Sequence, residues 1–98
     1  MRRAVFALAL ALAAGGAHAA DSIKGRTLYQ AHCASCHGAT GRAVLPGAPN
    51  FDQGDGMMRP DITILMAIRA GKNAMPAFQG RLEDRDIMDV IAYIRTLH

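Results

Sequence analysis

Residues 33–37 read Cys33-Ala34-Ser35-Cys36-His37, the Cys-x-x-Cys-His pattern for covalent attachment of a c-type haem. Two thiols three residues apart near a helix end can add to the two vinyl groups of one porphyrin. His37 then lies under the iron and offers an imidazole nitrogen as an axial ligand. Three rival readings are weaker. A disulfide within this pair closes a tiny loop, removes little unfolded-state entropy and leaves His37 unexplained. A thioredoxin-like redox pair lacks the preceding strand, and a zinc site lacks an evident set of four ligands.

The stretch upstream of the motif sets its compartment. Met1-Arg2-Arg3, the apolar run 4–14 and Ala17-His18-Ala19 have the basic start, short apolar middle and small-x-small exit of a secretory leader. The apolar run is well short of the roughly 20 residues that span a bilayer. Cleavage follows Ala19 or Ala20, so residues 1–19 read as the leader and 20–98 as a single mature domain in the periplasm, where this type of haem is attached in bacteria.

Removing the leader changes the composition that matters. The full chain of 98 residues carries a formal charge of +3, but Arg2 and Arg3 leave with the leader. Nine Lys and Arg then face eight Asp and Glu, a net charge of +1. Nucleic-acid binding requires a basic face, and that class is set aside. The mature segment has no Trp, four aromatic residues (Tyr29, Phe51, Phe78 and Tyr93) and eight glycines. A domain of this size is near the limit of what one core can stabilise, so a staple is expected, and a wrapped haem would supply it.

Downstream and upstream, hydrophobic periodicity predicts three helices and no strand, an all-α chain. The first covers about Ser22 to Ser35, capped by Asp21 or Ser22. The second begins at Pro60-Asp61, carries Ile64, Leu65 and Ile68, and stops at Gly71. The third runs from Asp84 to Leu97, with Ile87, Val90, Ile91 and Ile94 at i, i+3, i+4, i+7. Glu83 stands where a Ser or Thr cap is expected and reads as a weak cap, leaving Asp84 and Asp86 to satisfy the helix start through its dipole. Between the first two helices, residues 38–58 hold five glycines and two prolines without periodicity, a loop that implies something to wrap. In this loop and in residues 71–81, Val44, Leu45, Phe51, Met75 and Phe78 read as side chains that a ligand would bury. Met66 and Met88 read as core filler within helices.

Together these pieces resemble a small class I c-type cytochrome over residues 22–97. Gly25-x-x-x-Tyr29 resembles the small residue and aromatic that the family packs against its last helix, here at Val90 and Tyr93. Pro49, twelve residues after His37, matches a proline whose carbonyl accepts the Nδ1 hydrogen of the ligand histidine. Met75-Pro76-Ala77-Phe78 resembles the loop that delivers a methionine sulfur to the iron. The resemblance implies a fold of three main helices and long loops around one covalently attached haem c. Cys33 and Cys36 would form its thioethers, and His37 and Met75 would be its axial ligands. Met57 and Met58 are rival ligands that lack the adjoining proline. His32 would face away from the iron, and His98 is terminal.

That ligand set leaves no position for a substrate, so one-electron transfer is expected rather than catalysis. Phe78, Leu28, Ile68 and Ile91 are candidates to touch the porphyrin, each equally readable as core. Arg42 and Arg59 are candidates for its propionates. The ring of lysines around the haem edge that some mitochondrial members carry is lacking, with only Lys24 and Lys72 present. Docking is expected at a small apolar haem edge near Cys33, Ala39, Val44 and residues 74–77, with transient redox partners and a monomeric carrier. The runner-up is a haem subunit permanently bound to a periplasmic dehydrogenase or reductase.

Overall fold

The computed structural model describes residues 19–98, and the leader assigned to residues 1–19 lies, but for Ala19, outside the described residues. Four α-helices follow in order, α1 (Ser22–His32), α2 (Ala34–His37), α3 (Asp61–Ala70) and α4 (Asp84–Ile94). Single 3₁₀ turns lie at Phe51–Gln53 and Arg95–Leu97. No strand occurs among the described residues, and none of their helices is long and apolar enough to cross a membrane.

The expected first helix is divided at Cys33. Asp21 caps α1 as anticipated, its Oδ1 accepting the N–H groups of Ile23 at 2.9 Å and Lys24 at 3.1 Å. At the far end the Cys33 N–H bonds the Tyr29 carbonyl at 2.8 Å while its φ opens to −119°, which re-aims the chain into α2. Periodicity cannot register such a break, because the residues on both sides remain helical.

Pro60 is the N-cap of α3 rather than its first helical residue, and Gly71 closes that helix. Glu83 is a better cap for α4 than a lone glutamate promises. It forms a capping box with Asp86, whose carboxylate accepts the Glu83 N–H at 3.1 Å, so the helix start is held by hydrogen bonding as well as by the dipole. The C-terminal turn of the predicted last helix tightens to 3₁₀ geometry.

α4 organises the interior because its apolar stripe faces two neighbours. Ile87 and Ile91 join Ile64, Leu65 and Phe78 in one buried cluster, while Val90 and Ile94 join Tyr29 and Phe51 in another. Burying each such aliphatic side chain contributes about 1.5–3 kcal/mol before entropy is set against it. The most extensive pairing between elements is α1 on α4. Gly25 makes it possible, since a Cβ there would overlap the backbone carbonyl of Asp89. The contact of Tyr29 with Tyr93 is as expected, with ring centroids 5.2 Å apart, whereas Gly25 meets the Asp89–Val90 backbone.

The burial expectations for Phe51, Phe78 and Met66 are corrected. Phe51 and Phe78 are buried by protein alone, at 7% and 3% exposure, the first beside Tyr29 and His37 and the second between α3 and α4. Val44 and Leu45 remain exposed. Met88 packs against the core as expected, but Met66 is half exposed and fills nothing.

Candidate haem site

His37 is fixed from three directions. Its backbone N–H closes α2 on the Cys33 carbonyl at 2.9 Å. Its ring stacks on Phe51 with centroids 4.6 Å apart and planes 21° from parallel. The following residue, Gly38, has φ +83°, and a Cβ there would overlap the carbonyl oxygen of Arg42, so only glycine lets the chain leave the helix at this point. The Gly38 carbonyl in turn accepts the buried phenol of Tyr29 at 2.7 Å.

Burial lowers the His37 pKa, and the Pro49 carbonyl opposes that shift. The balance favours a neutral imidazole, the form that coordinates metal. Nδ1 is buried and has no hydrogen-bond partner among the described residues, and Pro49 lines the same cleft as the ring. Burial also pushes the Cys33 thiol up to about 11, with a smaller contribution from Cys36. Cys33 is therefore a protonated thiol at neutral pH, unlike the poised thiolate of a redox pair. Both cysteines are unbridged. Among the described residues no group of three or more His, Cys, Asp or Glu gathers as a metal site of the zinc type.

Met75 is delivered by a built loop. The N–H of Lys72 and the N–H of Met75 donate to each other's carbonyls at 3.1 and 2.9 Å. The exit from the loop is pinned to the end of α3, where Phe78 and Gln79 donate to the carbonyls of Ile68 and Arg69, each at 3.2 Å. Gly71, at φ +69°, packs so closely that a Cβ would lie 2.6 Å from the Ala77 nitrogen and 2.7 Å from the Met75 carbonyl oxygen.

These elements enclose a cleft of about 580 Å³, including its open mouth, with His37, Met75, Cys33 and Pro49 on its walls. Phe51, Met57, Ile64, Ile68, Val90 and Ile94 supply apolar surface, and Arg59 is the one charged residue that lines it. A flat macrocycle with one polar edge fits this lining: an apolar slot, a free thiol, a neutral imidazole and a thioether on its walls. Cys36 lies next to His37, half-buried, and is not part of the cleft wall.

Of the candidates to touch the porphyrin, Ile68 lines the cleft, while Phe78 and Ile91 are buried core residues and Leu28 packs against the Tyr29 cluster. Arg59 lines the cleft and Arg42 faces Asp52 at 3.5 Å instead. Met57 shares the cleft with Met75, whereas Met58 is 98% exposed. His32 is exposed and meets the Phe78 ring edge-on at 6.2 Å, and His98 lies over Gly54. Sequence reasoning missed Phe51 as the support of His37 and Asp89 as a buried carboxylate, since neither carries a local signal.

The family model described as "Cytochrome C oxidase, cbb3-type, subunit III" matches residues 20–94. The chain belongs to the small class I c-type cytochromes. Within that class it is similar to cytochrome c6 of Nostoc sp., at 42% identity over 80 residues, covering 78% of this chain and 70% of the relative. It is also similar to cytochrome c6 of Thermosynechococcus vestitus, at 38% identity over 96 residues, covering 92% and 85%. The crystal structure of cytochrome c6 from the diatom Phaeodactylum tricornutum superposes with a TM-score of 0.62 at 37% identity, covering 78% of this chain and 92% of that one. The protein is thus an electron-transfer protein rather than an enzyme, with one covalently bound haem c.

Proposed function

We propose that the protein is a monomeric one-electron carrier of the periplasm, released from its leader after Ala19 or Ala20, that shuttles electrons between transient redox partners. Cys33 and Cys36 would hold the haem as thioethers, and His37 and Met75 would offer an imidazole nitrogen and a thioether sulfur to its iron. The observation that carries this reading is the placement of His37 and Met75 on the walls of one apolar cleft, each on a rigidly hydrogen-bonded segment.

The bound haem supplies a ferric/ferrous couple. The chain's own residues set the terms of its use. Pro49 orients the His37 ring through Nδ1 and fixes its tautomer. The Met75 thioether is a weak donor, and it and the surrounding apolar wall both favour the ferrous state and a comparatively high potential. The paired loop at Lys72 and Met75 would keep the sulfur in place whichever redox state the bound haem held, which would keep reorganisation small. Exposed Val44 and Ala39 fit a small apolar docking edge.

The optical spectrum of the oxidised holoprotein tests the ligand pair. We expect the weak far-red sulfur-to-iron charge-transfer band in the wild type and its loss in Met75→Ala. A wild type that lacks the band and binds carbon monoxide when reduced would overturn the reading. The oxidase-subunit description of the matching family keeps a second reading in view, a haem subunit held permanently by an enzyme complex. Size-exclusion of the native periplasm separates them, because a free carrier elutes near 10 kDa and a subunit travels with its enzyme.

A further inference from the structure

Asp89 is a carboxylate buried to 3% exposure on α4, at the crossing with α1, and the electron-transfer site makes no use of it. Its Oδ1 accepts the backbone N–H of Asp21 at 2.7 Å. Its Oδ2 meets only the Lys24 ammonium, at 3.8 Å, among the described residues, and that ammonium is already committed to Asp86 at 2.9 Å. Oδ2 keeps access to solvent, and a cation arriving from that side can pair with it. The oxygen opens into a surface recess lined by Ala20, Asp21, Lys24, Arg85 and Asp89, and Ala19 also lies there.

We propose that Asp89 is the docking site for the α-ammonium group created when the leader is removed. The inference rests on the leader reading above. In that step water adds across the peptide bond after Ala19 or Ala20. The carboxylate departs with the leader, and the new amine takes up a proton. After cleavage at Ala20 the ammonium is the Asp21 nitrogen itself, already 2.7 Å from Asp89. After cleavage at Ala19 it is one residue away, within about 3.8 Å along the chain, and the loss of Ala19 clears the recess for it.

Charge balance at this corner supports the assignment. An ammonium at the start of α1 is repelled by the helix dipole and by Lys24 and Arg85, so it requires a fixed counter-charge. Asp21 is occupied in capping the helix and Asp86 in pairing with Lys24, which leaves Asp89. Processing thereby replaces a neutral amide donor with a charged one at the contact that clamps the chain's start to its last helix. The leader-bearing precursor makes that contact through a neutral amide only.

The test uses the mature holoprotein purified from the periplasm. Intact mass first establishes the starting residue. The pH dependence of N-terminal acetylation, read by mass spectrometry, then gives the α-amine pKa. We expect titration at least about one unit above the ordinary α-amino range of about 7.7–8.0. That tenfold shift should vanish in Asp89→Asn and in a variant with Gly-Ser inserted between Ala20 and Asp21, which retains Asp89 but moves the ammonium away. A mass that starts elsewhere than Ala20 or Asp21 overturns the leader reading and this inference together. The correct mass with an ordinary amine, or with equal values in wild type and insertion variant, overturns the inference alone.

Discussion

The Tyr29 phenol donates to the Gly38 carbonyl at 2.7 Å, joining the middle of α1 to the residue that follows His37. Tyr29 is fully buried, so this hydrogen bond leaves neither partner to water.

Tyr29→Phe retains the ring packing and removes the bond, stranding a buried carbonyl. The expected cost is about 1–3 kcal/mol in denaturant unfolding of the holoprotein. A second signature concerns alkaline pH. Burial raises the Tyr29 pKa to about 12 from the ordinary 10. A raised folded pKa stabilises fully below the unfolded value and is lost as pH climbs through the folded one. Wild-type stability should therefore fall between about pH 10 and 12, and the Phe variant should lack this component of the slope. Parallel slopes in the two proteins would count against a buried, un-ionised phenol.

Gly25→Ala sets two effects against each other. Alanine favours a helix interior by about 1 kcal/mol over glycine. Here its Cβ would overlap the Asp89 carbonyl, a backbone group that cannot rotate aside, so α1 and α4 must separate. The clash wins, and the expected net loss is at the upper end of about 1–3 kcal/mol. Urea unfolding midpoints would show it, and an unchanged midpoint would mean the crossing is looser than described.

The cleft holds two methionines, and they should not be equivalent. Met75 sits on a loop pinned to the end of α3, while Met57 packs against both core clusters. Leucine conserves most of the volume at either site. Met57→Leu should keep the sulfur-to-iron band and cost less than about 1.5 kcal/mol. Met75→Leu should abolish the band and open the reduced iron to carbon monoxide. The reverse pattern would assign the ligand to Met57.

The sequence revealed these elements unevenly, and the unevenness has a physical cause. The Cys33–His37 motif, the Asp21 cap and the Ile87–Ile94 stripe are local patterns, and each appears where its spacing places it. Phe51 and Phe78 read as ligand-dependent because their covering partners, Tyr29 and His37 for one and Ile64 and Ile87 for the other, are distant in sequence. Met66 lies on a helix whose buried face is set by α4, which periodicity within α3 alone does not fix. Asp89 is one acidic residue among several on α4, and only the crossing with α1 buries it.

Gly71 links the end of α3 to the loop that carries Met75, and with Met75 as the proposed ligand its substitution should act on the metal rather than on the fold. An alanine there meets two obstacles, a backbone at φ +69° that side chains rarely adopt and the Ala77 nitrogen at 2.6 Å from its Cβ. The relief nearest at hand is displacement of residues 75–77, because the other side of Gly71 is the C-terminus of α3, held through Gly71 N–H to Ala67 at 3.0 Å. Gly71→Ala should therefore weaken the far-red band and admit carbon monoxide while the far-ultraviolet circular dichroism stays that of the wild type. Loss of helical signal in step with the band would show that Gly71 supports α3 itself, and an intact band would show that the loop moves without carrying the sulfur with it.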